Sequence, residues 1–173
     1  GMQDVGVMAC AKHFPGHGSS KDDSHLGFVD VTDTWKNEEL YPYAELIKKK
    51  KCDFIMTAHI FNSNLDDKLP ATLSKKILTG ILRDSLKFNG VIFSDDMQMK
   101  AIADHYGLES AIEYAINAGV DIITFANNVT YDENIVPKVF NIIKNLLKEG
   151  KITEERINQS FNRIMKYKKL LSK

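Results

Sequence analysis

Residues 12–25 read K-H-F-P-G-H-G-S-S-K-D-D-S-H and concentrate side chains that can titrate near neutral pH, including three of the five histidines in the chain. Within them, Asp23 and His25 are two residues apart, and side chains at i and i+2 of an extended segment point the same way. A carboxylate beside an imidazole holds one tautomer and raises its basicity, which makes a general acid/base. The alternative is that the Asp23–His25 pair only staples a long loop.

A second group of candidate residues follows other apolar runs. Asp95 and Asp96 are adjacent acids, of which one could be a nucleophile or a metal ligand while the other bonds backbone N–H groups; the pair alone leaves the roles open. His59 ends a predicted strand and is either a substrate donor or an ordinary loop histidine. Met97 could shape an apolar pocket wall, and Met99 fits core packing better.

Neither a metal nor a cofactor is predicted. His13 and His17 are four residues apart but are separated by Pro15 and Gly16 and do not share a helix, whereas zinc sites need ligands at short, fixed spacings. No glycine-rich dinucleotide fingerprint and no phosphate-binding P-loop follows any predicted strand. His105 has no evident partner and receives no role.

These residues need elements to position them, and the apolar patterns predict alternating strands and helices. Buried strands are predicted at residues 5–11, 52–59, 90–94 and 120–126, each ending in polar residues. Helical periodicity is found at residues 38–50, 73–86, 109–118, 133–148 and 153–171, with Thr72 or Ser74, Gly119 and Thr153 as capping residues. Such repeats predict an α/β protein with parallel strands, whose chemistry collects at their carboxyl ends. Because no dinucleotide fingerprint is present, a (β/α) barrel is favoured over a doubly wound sheet.

The composition excludes several partners. The chain has 173 residues, of which 43% are hydrophobic, and its 23 basic and 23 acidic residues balance. There is no overall field to attract nucleic acid or an anionic membrane, and the lysine runs lie at ends of predicted helices. No apolar stretch approaches the roughly 18 residues of a membrane span. We therefore expect no nucleic-acid partner and no membrane partner.

The cysteines and the first residues bear on location. Cys10 and Cys52 lack the spacing of a redox or metal motif, so we expect free thiols, compatible with a reducing compartment. No signal peptide is present, and a cytoplasmic location is predicted. Gly1 before Met2 resembles the scar of a cleaved tag, so the native chain length stays open.

Several segments together carry a family resemblance. K-H-F-P-G-H-G, D-S-H, E-L-Y-P-Y, M-T-A-H-I, P-A-T-L-S-K-K and V-I-F-S-D-D-M-Q-M-K-A-I occur in this order along nearly the whole chain. They resemble glycoside hydrolase family 3, specifically its β-N-acetylhexosaminidase branch. The resemblance implies a (β/α)₈ barrel and a retaining mechanism that removes terminal β-linked N-acetylglucosamine, as in peptidoglycan fragments or chitooligosaccharides.

The resemblance also implies roles for individual residues. Asp95 would be the nucleophile that forms the covalent glycosyl-enzyme, and His25 the acid/base with Asp23 as its partner. Lys12 and His13 would hydrogen-bond the sugar next to the scissile bond. His59 and Met97, the candidates named above from their own positions, are expected in the same substrate site. Phosphate could replace water as the acceptor.

The chain is short for the fold that it resembles. A typical barrel needs about 250 residues, whereas residues 1–173 offer four strand–helix units that resemble the second half of the barrel, with an extra C-terminal helix. We interpret these residues as a single domain. Its first and fourth strands would be open edges, so we expect a homo-oligomer, such as a dimer of two half-barrels, or a partner chain carrying the other half. The alternative function is a catalytically incomplete half-barrel, folded as an oligomer.

Overall fold

Parallel strands form two sheets in the computed structural model, which describes residues 1–20, 27, 29–128 and 131–171. The main sheet contains four parallel strands in the order β1-β3-β5-β6, which is also their order along the chain. Strands β2 and β4 form a separate two-stranded parallel sheet. The strands are β1 (Cys10–Phe14), β2 (Val29–Asp30), β3 (Phe54–Thr57), β4 (Ile60–Phe61), β5 (Val91–Asp96) and β6 (Ile122–Thr124).

Helices alternate with the strands of the main sheet, and the predicted α/β fold is confirmed. They are α1 (Tyr41–Lys48), a π-helix (Lys76–Ser85), α2 (Lys100–Tyr106), α3 (Leu108–Ala118), α4 (Ile135–Lys148) and α5 (Glu154–Leu171). Short 3₁₀ helices lie at Met2–Val5, Asn37–Leu40 and Ala71–Leu73. The helix α2 was not predicted from the sequence. No helix in the described ranges is both long and apolar enough to cross a membrane.

The predicted capping residues account for several helix ends. The Ser74 hydroxyl accepts the Ile77 N–H at 3.1 Å at the start of the π-helix, and Thr153 accepts the Arg156 N–H at 3.1 Å at the start of α5. Gly119 follows α3 with φ 124°, a backbone conformation that L side chains rarely adopt. Short polar side chains and glycine therefore set these boundaries, as the sequence pattern indicates.

The first strand was predicted too early in the chain. It runs over Cys10–Phe14 instead of residues 5–11, and Val5 lies in a 3₁₀ helix with 78% of its surface exposed. Gly6 ends that helix in the left-handed region, at φ 79°. The apolar run indicated a strand buried on both faces, but β1 is an edge strand, in which only Phe14 is fully buried. The shift places Lys12 and His13 inside the strand, near its carboxyl end.

The core lies between the main sheet and the helices on one of its faces. Ile55 of β3 and Ile92 of β5 pack in one cluster with Leu78 and Leu82 of the π-helix and with Ala115 of α3, all buried. Burial of each large aliphatic side chain contributes about 1.5–3 kcal/mol. On the opposite face, Phe54 and Phe93 are half-buried, with ring centroids 5.5 Å apart, and Tyr167 of α5 packs 5.0 Å from Phe54. The π-helix and α3 thus cover one face of the sheet, and Tyr167 of α5 contacts the other.

Asp121, the residue before β6, joins distant parts of the chain. Its side chain is 0% exposed and forms ion pairs with Arg83 at 2.7 Å, Arg163 at 3.0 Å and Arg156 at 3.4 Å. These are the three arginines of the whole sequence. The Ile92 N–H of β5 and the Ser160 hydroxyl also donate to this carboxylate, at 3.0 and 2.7 Å. One buried carboxylate therefore connects the π-helix, β5, β6 and α5.

Replacement of Asp121 by asparagine should destabilise the protein strongly. Asp121→Asn keeps the shape but leaves the guanidinium groups of Arg83 and Arg156, 11% and 14% exposed, without their counter-charge. We expect the free energy of unfolding to fall by about 3–5 kcal/mol, measured by urea denaturation. Asp67→Asn, which removes an exposed carboxylate paired with Lys76, is the matched control and should change stability little. Equal losses in both variants would contradict the role assigned to Asp121.

Candidate active site

His13 and Asp95 meet at the carboxyl end of the main sheet. His13 lies near the end of β1 and Asp95 near the end of β5, and the His13 Nε2 atom is 3.6 Å from the Asp95 Oδ2 atom. Their side chains are 31% and 21% exposed, so a ligand can reach both. Lys12 is exposed beside them on β1. The Lys12–His13 and Phe14–Pro15 peptide bonds are cis.

The two adjacent acids have different environments, which the sequence alone left open. The Oδ1 atom of Asp96 accepts the Gln98 N–H at 3.1 Å and the Ala126 N–H at 3.0 Å, so this carboxylate ties the segment after β6 to the end of β5. Asp95 uses its Oδ1 atom to accept the Asp96 N–H at 2.8 Å, and its Oδ2 atom faces His13. Asp96 therefore ties two segments of the chain together, whereas Asp95 keeps its Oδ2 atom directed toward His13.

His59 contacts the backbone of Asp96. Its ring is buried, with Nε2 2.9 Å from the Asp96 carbonyl and Nδ1 2.9 Å from the Thr72 hydroxyl. Because a carbonyl only accepts hydrogen bonds, we infer that Nε2 carries the proton. Burial lowers the pKa of His59, which favours this neutral ring. Both nitrogens face protein atoms, so the geometry does not support the predicted substrate contact of His59.

Met97 also differs from its predicted place. Its side chain is 2% exposed and belongs to the main hydrophobic core, and its N–H donates to the Thr124 carbonyl at 3.0 Å. The core-packing expectation stated for Met99 fits both methionines, since Met99 is 6% exposed. The Met97 side chain, directly after Asp95–Asp96, points into the core. The sequence S-D-D-M-Q-M alone does not show whether this methionine faces the core or the site. Met97 lines a cavity of about 230 Å³ together with Gln98, Ile102 and Ile135, but neither His13 nor Asp95 lines that cavity.

Trp35 and Glu39 fix the base of the loop that follows β1. The Trp35 indole N–H donates to the Pro15 carbonyl at 3.2 Å, and Glu39 accepts the Gly18 N–H at 3.1 Å as well as the Ser19 hydroxyl. The predicted catalytic residues Asp23 and His25 come directly after this base and lie outside the described residues. Neither Trp35 nor Glu39 was singled out from the sequence as a site residue, although Glu39 opens the motif E-L-Y-P-Y.

Gly16 makes this arrangement possible. Its φ is +121°, and a Cβ atom added there would lie 2.5 Å from the Glu39 Cβ and 2.5 Å from its Oε2. Any other residue at position 16 would need both a strained backbone and a displacement of Glu39. The missing side chain of Gly16 therefore lets the backbone pass close to Glu39.

The small sheet connects the segments after β1 and β3. Beyond the paired β2 and β4, the Val31 N–H donates to the Phe61 carbonyl at 2.9 Å, and the Ser63 N–H donates to the Thr32 hydroxyl at 3.0 Å. The Asn64 amide donates to the Thr32 carbonyl at 3.2 Å. Two loops at the carboxyl end of the main sheet are thereby cross-linked. Two-residue strands lack a periodic pattern and were not predicted from the sequence.

The arrangement can support attack by a carboxylate on an electrophile. A reachable carboxylate beside an imidazole, at the carboxyl end of parallel strands, is typical of the active sites of (β/α) enzymes. Among the described residues, no three His, Cys, Asp or Glu side chains are grouped as a metal site would require. The parallel strands and the helices between them place the chain among α/β proteins related to the (β/α) barrels, with the His13–Asp95 pair at the end of the sheet where such proteins carry their sites.

Comparison with known proteins identifies the family. The family model described as the glycosyl hydrolase family 3 N terminal domain matches residues 1–167. The chain belongs to this family. The resemblance drawn from the motifs is thereby confirmed, and the β-hexosaminidases among its relatives agree with the predicted branch.

Three relatives illustrate the similarity. A β-hexosaminidase of Tolumonas auensis is 43% identical over 131 residues, which are 74% of this chain and 39% of the relative. The structure of a family 3 β-N-acetylglucosaminidase from Paenibacillus has a TM-score of 0.87 at 34% identity, covering 97% of this chain and 32% of that one. The Thermotoga maritima β-N-acetylglucosaminidase has a TM-score of 0.82 at 32% identity, covering 95% and 35%. The chain thus spans about a third to two fifths of their lengths.

A pair of glycine variants tests the base of the loop. Gly16→Ala should lower the free energy of unfolding by about 1–3 kcal/mol, because the new Cβ meets Glu39 and the backbone is strained at φ +121°. Gly18→Ala is the matched control, since its Cβ would lie 3.8 Å from the Glu39 Oε2, an ordinary contact; we expect a change within about 0.5 kcal/mol. Urea denaturation of both variants measures the difference. Similar stability of the two variants would contradict the assigned contact.

Proposed function

We propose that this chain carries the catalytic half of a retaining β-N-acetylhexosaminidase that releases terminal β-linked N-acetylglucosamine. The observation that carries the proposal is the difference in contacts between Asp95 and Asp96. Asp96 bonds backbone N–H groups, whereas Asp95 keeps one oxygen beside His13 at the carboxyl end of the sheet. Membership of glycosyl hydrolase family 3 and relatives named β-hexosaminidase or β-N-acetylglucosaminidase support the substrate class.

The first chemical step in this proposal forms a glycosyl-enzyme. The Oδ2 atom of Asp95 attacks the anomeric carbon, the bond from that carbon to the leaving oxygen breaks, and the leaving oxygen takes a proton from His25. Asp23 holds the imidazole in the productive tautomer. Because both residues lie outside the described ranges, their roles rest on the D-S-H pattern and on the family resemblance.

The second step releases the sugar. Water gives a proton to His25 and attacks the anomeric carbon, and the bond from that carbon to Asp95 breaks, which restores the free carboxylate. Two features support the orientation of Asp95 in both steps. The Asp96 N–H holds Oδ1 at 2.8 Å, and the Asp96 backbone is itself held by His59, whose Nε2 lies 2.9 Å from the Asp96 carbonyl. Phosphate in place of water would give a glycosyl phosphate instead.

Substrate binding involves the end of β1 in this proposal. Lys12 is an exposed cation next to His13, and both can donate hydrogen bonds to sugar hydroxyl groups. His13 lies within 3.6 Å of the nucleophile, so a sugar that contacts His13 places its anomeric carbon near Asp95. His59 and Met97 are left out of the binding role, because both are buried and engaged within the protein.

A second candidate function is a folded half-barrel without hydrolase activity of its own. Strands β1 and β6 are the open edges of the main sheet, and a largely apolar cavity of about 500 Å³ lies beside Val7, Phe54, Phe93 and Ile122. Open parallel edges and apolar surfaces of this kind favour association. Two copies pairing into a twofold assembly, or a chain that supplies further strands, would cover them.

Hydrolysis of an aryl β-N-acetylglucosaminide by the purified chain tests the proposed function, with the solution mass measured by light scattering on the same sample. We expect turnover that Asp95→Asn lowers by at least about 10³-fold, as for loss of a covalent nucleophile. Asp96→Asn is the comparison variant, and its effect should appear mainly in stability. A folded chain that shows no turnover in any association state would favour the inactive half-barrel.

The leaving group separates the role of His25 from a structural one. His25→Ala should reduce turnover most with poorly acidic leaving groups and least with activated aryl glycosides, because protonation of the leaving oxygen matters less for the latter. The ratio of kcat/KM for the two substrate types, compared between the parent chain and the variant, measures this. Equal losses on both substrates would contradict the acid role and leave the stapling role for the Asp23–His25 pair.

A further inference from the structure

A polar groove lies between the π-helix, the end of α3 and the start of α5. Its volume is about 530 Å³, and its lining includes four cationic side chains, Lys75, Arg83, Arg156 and Arg163, but only one carboxylate, that of Asp84. The remaining lining residues are small or polar, such as Asn117 and Thr153. The groove adjoins Asp121, at the amino end of β6. It is therefore at the opposite end of the sheet from Asp95.

The positive charge of the guanidinium groups in this groove exceeds the negative charge of the carboxylate that they contact. Arg83, Arg156 and Arg163 share the single carboxylate of Asp121, and their side chains are 11%, 14% and 28% exposed. Partly buried charges are usually paired, because their removal from water costs free energy that a counter-ion offsets. Burial and the repulsion from the other two arginines lower the pKa of Arg83 to about 10, although Asp121 opposes this shift. The site thus retains an excess of positive charge.

The three arginines differ in how far their donors are used. Arg83 donates to the Phe88 and Gly90 carbonyls, and Arg156 donates to the Ile116 and Val120 carbonyls, in addition to their contacts with Asp121. Arg163 donates through Nη1 to Asp121 at 3.0 Å. Within the described part of the chain, its Nε and Nη2 atoms have no hydrogen-bond partner. Arg163, the most exposed of the three, therefore has donors left for a ligand in the groove.

We propose that this groove binds an anion of the phosphate class, with Arg163 as its principal ligand and Lys75 on the opposite side. A guanidinium group presents parallel N–H donors whose spacing matches two oxygens of a phosphate. Three arginines against the one carboxylate of Asp121 leave an excess of about two positive charges, which the two negative charges of a phosphate dianion would balance. The Thr153 hydroxyl and the second amide hydrogen of Asn117 supply further donors around the groove. Inorganic phosphate and phosphate monoesters share this chemistry.

Thermal unfolding of the purified chain tests the proposal. Sodium phosphate at neutral pH should raise Tm in a saturable manner, compared with sodium chloride at the same ionic strength. Arg163→Gln should weaken the apparent affinity for phosphate about tenfold or more, while Arg83 and Arg156 continue to pair with Asp121. Lys49→Gln, which removes an exposed cation directly after α1, is the control and should leave the phosphate response unchanged.

Two further arms locate the anion and identify its source. The Tm response should persist in Asp95→Asn and His13→Gln, because these residues lie at the other end of the sheet. Glycerol phosphate should compete with inorganic phosphate for the groove. The ligand that raises Tm at the lower concentration shows whether a monoester or the free ion is preferred. Equal responses to phosphate and chloride, an unchanged response in Arg163→Gln, or its loss in His13→Gln would overturn the proposal.

Discussion

The buried carboxylate of Asp121 determines where the C-terminal helix lies against the sheet. Its partners are 38 and 42 residues away in the sequence, at Arg83 and Arg163, and no local pattern holds α5 in this position. Lysine could not replace Arg83 or Arg156, because each planar guanidinium bonds the carboxylate and backbone carbonyls at once. The use of all three arginines of the chain at one point, with lysines elsewhere, follows from this geometry.

The two ends of the parallel sheet therefore differ in how their charged side chains are placed. At the amino end, buried charges are paired around Asp121 and connect the π-helix to α5. At the carboxyl end, Asp96 bonds the segment after β6 and His59 contacts the Asp96 carbonyl, while Asp95 remains partly exposed. The proposed nucleophile needs both access and a fixed orientation, and the hydrogen bond from the Asp96 N–H to the Asp95 Oδ1 atom supports the second.

Local patterns predicted most of the fold, and long-range contacts account for what was missed. Helix periodicity and the caps at Thr153 and Gly119 depend on neighbouring residues, so they could be predicted. The first strand was placed too early because an apolar run does not distinguish an edge strand from a central one. The Asp121 cluster, the support role of His59 and the core position of Met97 depend on residues far apart in sequence. Asp95 and Asp96 could be named as candidate residues from the sequence, but the difference between their environments required the structure.

The motifs K-H-F-P-G-H-G and E-L-Y-P-Y form one physical unit, although about twenty residues separate them. Gly18 and Ser19 bond the carboxylate of Glu39, and the missing side chain of Gly16 leaves the space that Glu39 occupies. A change in either motif alone would leave the other without its partner. Glu39 needs the space that Gly16 leaves, and Gly18 and Ser19 need the Glu39 carboxylate as their hydrogen-bond acceptor. Such mutual dependence explains why two short motifs, neither decisive alone, together indicate one loop geometry.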